Sequence, residues 1–424
     1  MTSDFIDAEF AFPEQSIALK GQLYIKESGN YFVVSENPLG GLNWGAVSIV
    51  HVTTDQSLYT CVESVLTRTE GNKYFFRVNE LYENAHIGDS TVPNCLDVTS
   101  EVHFLSHWLL PKMLDVTFLE DDSLFLRVDV HKSKNWDFNV LPGITVKFEA
   151  STQINTRRDF IKLNERSSLK IVSNNNLPRN ELFACFYSFL IFFTLFLRKS
   201  PRTTRLVFSI SNVEVELLGL SKEIEESPFD VLIHLKDISN FDVLILNYFN
   251  KKNEYNAINK LWESSLINIQ PEIKFLHLTQ SLELFHRTFY ENDISSRNRI
   301  NSLISTPGNR GSIGWIQRMR YLHLLEIPDS AGINISFPLA SDLFSQKLTK
   351  SRNYYTHYGD DTDVWGHFEL YAINQILKIW LRCLILNQLG MEVQSINKVV
   401  ASERQNNISS LLISIISSQF VHSA

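Results

Sequence analysis

The hydrophobic period changes along this chain, and no single-class fold accommodates both periods. Up to about residue 150, apolar residues recur in short strand-like runs: Gly21-Gln-Leu-Tyr-Ile-Lys, Tyr31-Phe-Val-Val, Lys73-Tyr-Phe-Phe-Arg-Val and Ser123-Leu-Phe-Leu-Arg-Val-Asp-Val. A period of two sends successive side chains to opposite faces of a strand. Ser-Gly-Asn before Tyr31 and Glu-Gly-Asn before Lys73 supply turn chemistry between the runs. From residue 271 the spacing becomes three and four, with Phe275, Leu278, Leu282, Phe285 and Phe289 on one helical face. The expectation is an α+β chain: an N-terminal β-rich region, sandwich-like or strongly curved, then a C-terminal all-α helical bundle.

The expected divisions are a β-rich domain over 1–150, a mixed α/β continuation over 151–268 and a helical domain over 269–424. At 424 residues, two or three domains are the normal count. The middle stretch offers strands at Arg205-Leu-Val-Phe-Ser-Ile-Ser, Val213-Glu-Val-Glu-Leu-Leu and Val231-Leu-Ile-His-Leu, with a helix near 256–265. It also contains residues 182–197, sixteen positions without a charge. A spanning helix needs about 20 residues, so this run is expected to be a helix buried in a domain. Further helices are expected over 343–358 and about 366–389. The second carries Leu370, Ile373, Leu377, Trp380, Leu381 and Leu384, a broad apolar face suited to a bundle core or a dimer seam.

Composition narrows the chemistry. The chain is 44% hydrophobic and 20% charged, which fits a folded protein rather than a disordered one. Cys61, Cys95, Cys185 and Cys383 are far apart and form no ligand pair; they read as buried thiols of a reducing compartment. Met-Thr-Ser-Asp-Phe opens the chain with neither a basic nor an apolar run, so a secretory signal is not expected and a cytoplasmic location is. A phosphate-binding glycine loop is excluded, because Pro307-Gly-Asn-Arg-Gly lacks the Gly-Lys-Ser/Thr ending. No zincin helix, paired-cysteine zinc site or Gly-x-Ser-x-Gly elbow occurs. Neither a metal nor a cofactor is expected.

Charge divides unevenly. Residues 271–424 hold 14 basic and 13 acidic residues, while the first 270 hold 25 and 34, a net of −9. Arg297, Arg299, Arg310, Arg318 and Arg320 occur with no acidic residue between Asp293 and Glu326. They form a candidate track for an RNA backbone, or equally an ordinary solvated helix face.

The run Arg352-Asn353-Tyr354-Tyr355-Thr356-His357-Tyr358 concentrates the chemistry. A guanidinium binds a phosphodiester through its planar fork, and an imidazole exchanges protons near neutral pH. On a helix the two lie about 140° apart, flanking a groove, whereas Asn353 and His357 share a face. Such an offset suits a site completed by a second copy across a two-fold axis. The spacing alone is weak, since Arg318 and His323 repeat it. A helix whose histidine merely hydrogen-bonds locally fits the same residues. Glu283 and Arg287, four apart, read most simply as an ion pair.

Arg352-Asn353 followed by His357 resembles the signature of HEPN ribonucleases, an arginine and a polar residue with a histidine a few positions on. Residues 275–287 resemble the first HEPN helix of ApeA-type anti-phage proteins, and the helix from about 369 to 390 is similar too. The likeness is looser over 180–265 and weak before 180. It implies metal-independent endoribonuclease chemistry in abortive infection, cleaving single-stranded or loop RNA, tRNA included. Arg352, His357 and Asn353 would be catalytic, with Tyr354 and Glu283 supporting and Glu283 orienting a catalytic side chain. Partners would be RNA, a phage-derived trigger and a second copy in a homodimer or larger homo-oligomer, with no membrane. The competing reading is a non-catalytic HEPN-like sensor that dimerises or binds a nucleotide.

Overall fold

A computed structural model describes residues 5–404 except 14, 27–28, 40–44, 88–93, 110–113, 119–123, 129–133, 158–159, 211–212, 219, 221–229, 292–312 and 358–362. The chain forms two compact units, one of residues 1–187 and 201–227, the other of 188–200 and 228–424.

The first unit is built on β1 (Ile6–Ala11), β2 (Leu19–Tyr24), β3 (Tyr31–Val34), β4 (Ala46–Thr53), β5 (Leu58–Glu70) and β6 (Lys73–Glu83). They are hydrogen-bonded in the order β6-β3-β2-β1-β4-β5, and a further pairing of β5 with β6 closes the ring. Every pairing is antiparallel. Where the sequence suggested a sandwich or a strongly curved sheet, these strands form a closed six-stranded barrel, which leaves them no open edge to defend. Phe10, Leu23, Phe32, Val50, Val52, Phe76 and Leu81 fill its interior. At Gly21 a Cβ would collide with the Val33 carbonyl oxygen, so only glycine lets β2 lie this close to β3.

Beyond β3, the same edge of β6 pairs with a later strand, and the sheet runs on as an open array. Its strands are β7 (Asn94–Val102), β10 (Lys134–Leu141), β11 (Ile144–Arg157), β12 (Phe160–Pro178), β13 (Thr203–Ile210) and β14 (Val213–Leu218). A short helix, α1 (Leu105–Leu109), follows β7, and β8 (Leu114–Phe118) pairs with β9 (Leu124–Val128) as a separate hairpin. β11 runs through residue 150, where the sequence alone suggested a division.

The apolar run lies in α2 (Arg179–Phe193) and a 3-10 turn, Thr194–Phe196. Among the described residues Arg179–Phe196 is the one helical stretch long and apolar enough to cross a membrane, and 56% of it is buried inside the protein. The strand expected at Val231 is reduced to an isolated bridge between Val231 and Leu197.

The second unit carries α3 (Phe241–Asn250), α4 (Lys252–Leu266), α5 (Pro271–Phe289), α6 (Ile313–Ala331), α7 (Ser341–His357), α8 (His367–Leu389) and α9 (Val393–Arg404). Proline opens α5 at a position where its missing N–H costs nothing. Gly390 ends α8 in the left-handed conformation, φ 91°. The whole apolar face named on α8 is buried, so within this unit it serves as core. α8 also buries Arg382, whose guanidinium pairs with Glu403, donates to the Leu197 carbonyl at 2.7 Å and stacks over Trp262.

Candidate functional site

Three helices bring one polar cluster together. Glu283 sits on α5 among Leu282, Phe285 and His286 and is only 5% exposed. A carboxylate that deep has to be held by donors. Tyr321 of α6 donates its hydroxyl to Glu283 Oε1 at 2.8 Å. Arg352 of α7 places Nε 3.2 Å from the same oxygen. Burial, reinforced by the Glu283 charge, pushes the Tyr321 phenol well above its ordinary range, so it stays a donor. Arg352 Nη1 donates to Asn353 Oδ1 at 3.4 Å, and Nη2 makes no hydrogen bond among the described residues.

The surroundings of α7 explain why it presents this edge. Phe344, Leu348 and Ser351 face inward, and the Ser351 hydroxyl accepts the Trp365 N–H at 3.0 Å. Tyr355 donates to the Trp365 carbonyl at 2.6 Å. The chain after the motif is therefore fastened to one side of α7. Asn353 lies towards the start of α6, where a Cβ on Gly314 would be 3.5 Å from Nδ2. His357 is the last residue of α7 and is exposed. Tyr354 is half-buried, its ring 5.0 Å from that of Tyr355.

Of the two groups expected to flank a groove, Arg352 lies mostly buried, its side chain only 15% exposed. The expected Glu283–Arg287 pair is also replaced. The Glu283 carboxylate turns to Arg352 and Tyr321, and no Glu283–Arg287 ion pair occurs among the described residues. Tyr321 was missed by sequence reasoning. Its only signal was its place inside the duplicate spacing, between Arg318 and His323.

That duplicate is engaged elsewhere. Arg318 donates to Asp342 at 2.6 Å, and His323 Nδ1 lies 3.2 Å from His286 Nε2. Of the proposed RNA track, Arg320 is buried and donates to the partly exposed Glu291 at 2.7 Å, so its charge is already paired. Arg297, Arg299 and Arg310 lie outside the described residues, as do Asp360 and Asp361 of the acidic run after the motif. Asp363 turns to Lys350 at 2.8 Å and Lys347 at 3.9 Å. Among the described residues no group of three or more His, Cys, Asp or Glu is placed to hold a metal. All four cysteines are buried and unbridged.

No curated protein and no solved structure matches the chain. Residues 276–395 match the family described as Apea-like HEPN, a stretch that runs from α5 into α9 and takes in Glu283, Tyr321, Arg352, Asn353 and His357. This chain carries an Apea-like HEPN domain.

Proposed function

We propose that the HEPN domain is a metal-independent endoribonuclease that acts in anti-phage defence by abortive infection. The observation that carries this reading is Arg352 paired at 3.2 Å with buried Glu283, which itself accepts the Tyr321 hydroxyl, while His357, on the same helix, stands in solvent. RNA brings its own nucleophile. His357 as general base takes the 2′-OH proton, the oxygen attacks phosphorus as the P–O5′ bond breaks, and the imidazolium, acting as acid directly or through water, returns a proton to the departing 5′-oxygen. The products are a 2′,3′-cyclic phosphate and a 5′-hydroxyl end. Arg352, with Nε turned to Glu283, offers its terminal amino edge to the charge growing on the phosphorane oxygens. Asn353 aligns a phosphate oxygen or the imidazole. Unpaired nucleotides, as in a tRNA loop, reach the in-line geometry this needs.

Purified protein tests this directly. Arg352→Ala and His357→Ala should each abolish cleavage of a single-stranded RNA, Arg318→Ala should retain activity, and excess EDTA should leave wild-type cleavage intact. Loss in EDTA that magnesium restores would refute the chemistry. One observation favours a non-catalytic sensor: a buried carboxylate on an arginine is also how a structural ion pair looks. In that case none of the proteins cleaves, and expression of wild type and His357→Ala is equally harmless to cells.

A further inference from the structure

The barrel carries a second polar-aromatic site on its outer wall. Strand register sets Tyr24, Tyr31, Arg77 and Val65 in one row, and Val33, Phe75 and Arg68 in the next. Phe32 and Phe76 alternate with these residues and point into the barrel, so Tyr31, Phe75 and Arg77 point out. A bulge in β5 between Leu66 and Arg68 breaks the regular pairing there, which re-aims side chains and bends the strand. A cavity of about 370 Å³ opens at this place, lined by Asn30, Tyr31, Thr67, Arg68, Phe75 and Arg77.

Its chemistry is specific. The Arg68 guanidinium lies 4.1 Å over the Phe75 ring and pairs with Glu70 at 3.2 Å. Arg77 has no ion-pair partner among the described residues. Tyr24 and Tyr31 stack at 4.3 Å and 10°, and the Lys26 ammonium sits 5.8 Å from the Tyr31 ring centre. Three cations and three aromatic rings thus meet in a region whose first 270 residues carry a net of −9. A bare anion site has no use for the rings, and an apolar site has no use for the arginines.

We propose that this cavity binds a mononucleotide, with the base against Tyr31 and Phe75 and the phosphate on Arg77. Rings of this kind take any base by stacking, and the arginine fork matches phosphate oxygens. The volume lies at the small-molecule end of binding pockets, which run from about 300 Å³ upward. The surrounding negative charge disfavours a long polyanion and tolerates a single nucleotide.

Calorimetry on the full chain with the four nucleoside 5′-monophosphates, their nucleosides and inorganic phosphate tests this. A 5′-monophosphate should bind saturably, with nucleoside and phosphate each at least about tenfold weaker, the difference that ~1.4 kcal/mol makes. Arg77→Ala and Phe75→Leu should each weaken binding by a comparable factor with unchanged melting temperature, and Arg77→Lys should weaken it less than Arg77→Ala. Arg352→Ala should bind as wild type does, which separates this site from the nuclease cluster. No saturable binding of any monophosphate overturns the proposal. So does binding indifferent to Arg77, phosphate alone binding as tightly as nucleotide, or an oligonucleotide held through Arg77 where mononucleotides are not.

Discussion

Glu283 ties two neighbouring helices to its own, because its carboxylate receives both the Tyr321 hydroxyl and the Arg352 guanidinium. Removing one member of a buried ion pair strands the other. Glu283→Gln is therefore expected to cost about 3 kcal/mol, the lower end for breaking such a pair, since Arg352 keeps some contact with water. Tyr321→Phe should cost about 1.5–3 kcal/mol through loss of a hydrogen bond to a charged group. Urea unfolding of both variants, of Arg352→Gln and of Glu283→Gln/Arg352→Gln checks this. The double variant should be less destabilised than the two single changes added together, and strict additivity would show that the residues are not coupled. The sequence put Arg352 and His357 on one helix, α7, but gave no sign that Arg352 is mostly buried. Its partners sit on other helices, and a pairing between helices leaves no periodic trace.

At the level of elements, α5 and α6 meet across two imidazoles, His286 Nε2 and His323 Nδ1, 3.2 Å apart. Burial, with the nearby His323 and Arg320 charges, pushes His286 down to about 3 from an ordinary 6.5. Between those values the unfolded chain takes up a proton that the folded chain refuses, so acid favours unfolding. Melting temperature should fall as pH drops from about 6.5 towards 3. His286→Leu should flatten that slope, and a variant that falls in parallel with wild type would remove His286 as the cause. The helices themselves were legible: α7 and α8 begin and end within two residues of the sequence expectation, because a sustained 3.6 period is strong evidence. Barrel closure was not. Alternation reads the same in a sandwich and a barrel, and only the long-range pairing of β6 with β3, beside its local hairpin with β5, separates them.

For the whole molecule, the offset of Arg352 and His357 around α7 suits a cleft shared by two copies of the HEPN domain. Mixing Arg352→Ala protein with His357→Ala protein should recover part of the cleavage, since one composite site in the mixed dimer then holds both intact groups. A monomer fully active at nanomolar concentration would refute this arrangement. The second unit is also interleaved with the first along the chain. Residues 188–200 belong to it, and they bring Phe192, Phe196 and Leu197 into its core and Thr194 to Trp262. A fragment starting at residue 228 should accordingly express as an aggregate, whereas one starting at 188 retains those core residues; equal solubility of the two would argue otherwise. On the ribosome the same interleaving imposes a wait. The phenylalanine-rich run around Phe189–Leu197 is made some two hundred residues before α8 and α9 exist, a delay of roughly 10–40 s at ordinary rates of synthesis. Early in that interval α3 and α4 emerge to meet Phe192, Phe196 and Thr194, but Leu197 and Arg198 still wait for α8 and α9, so the nascent chain should lean on chaperones until those helices are made.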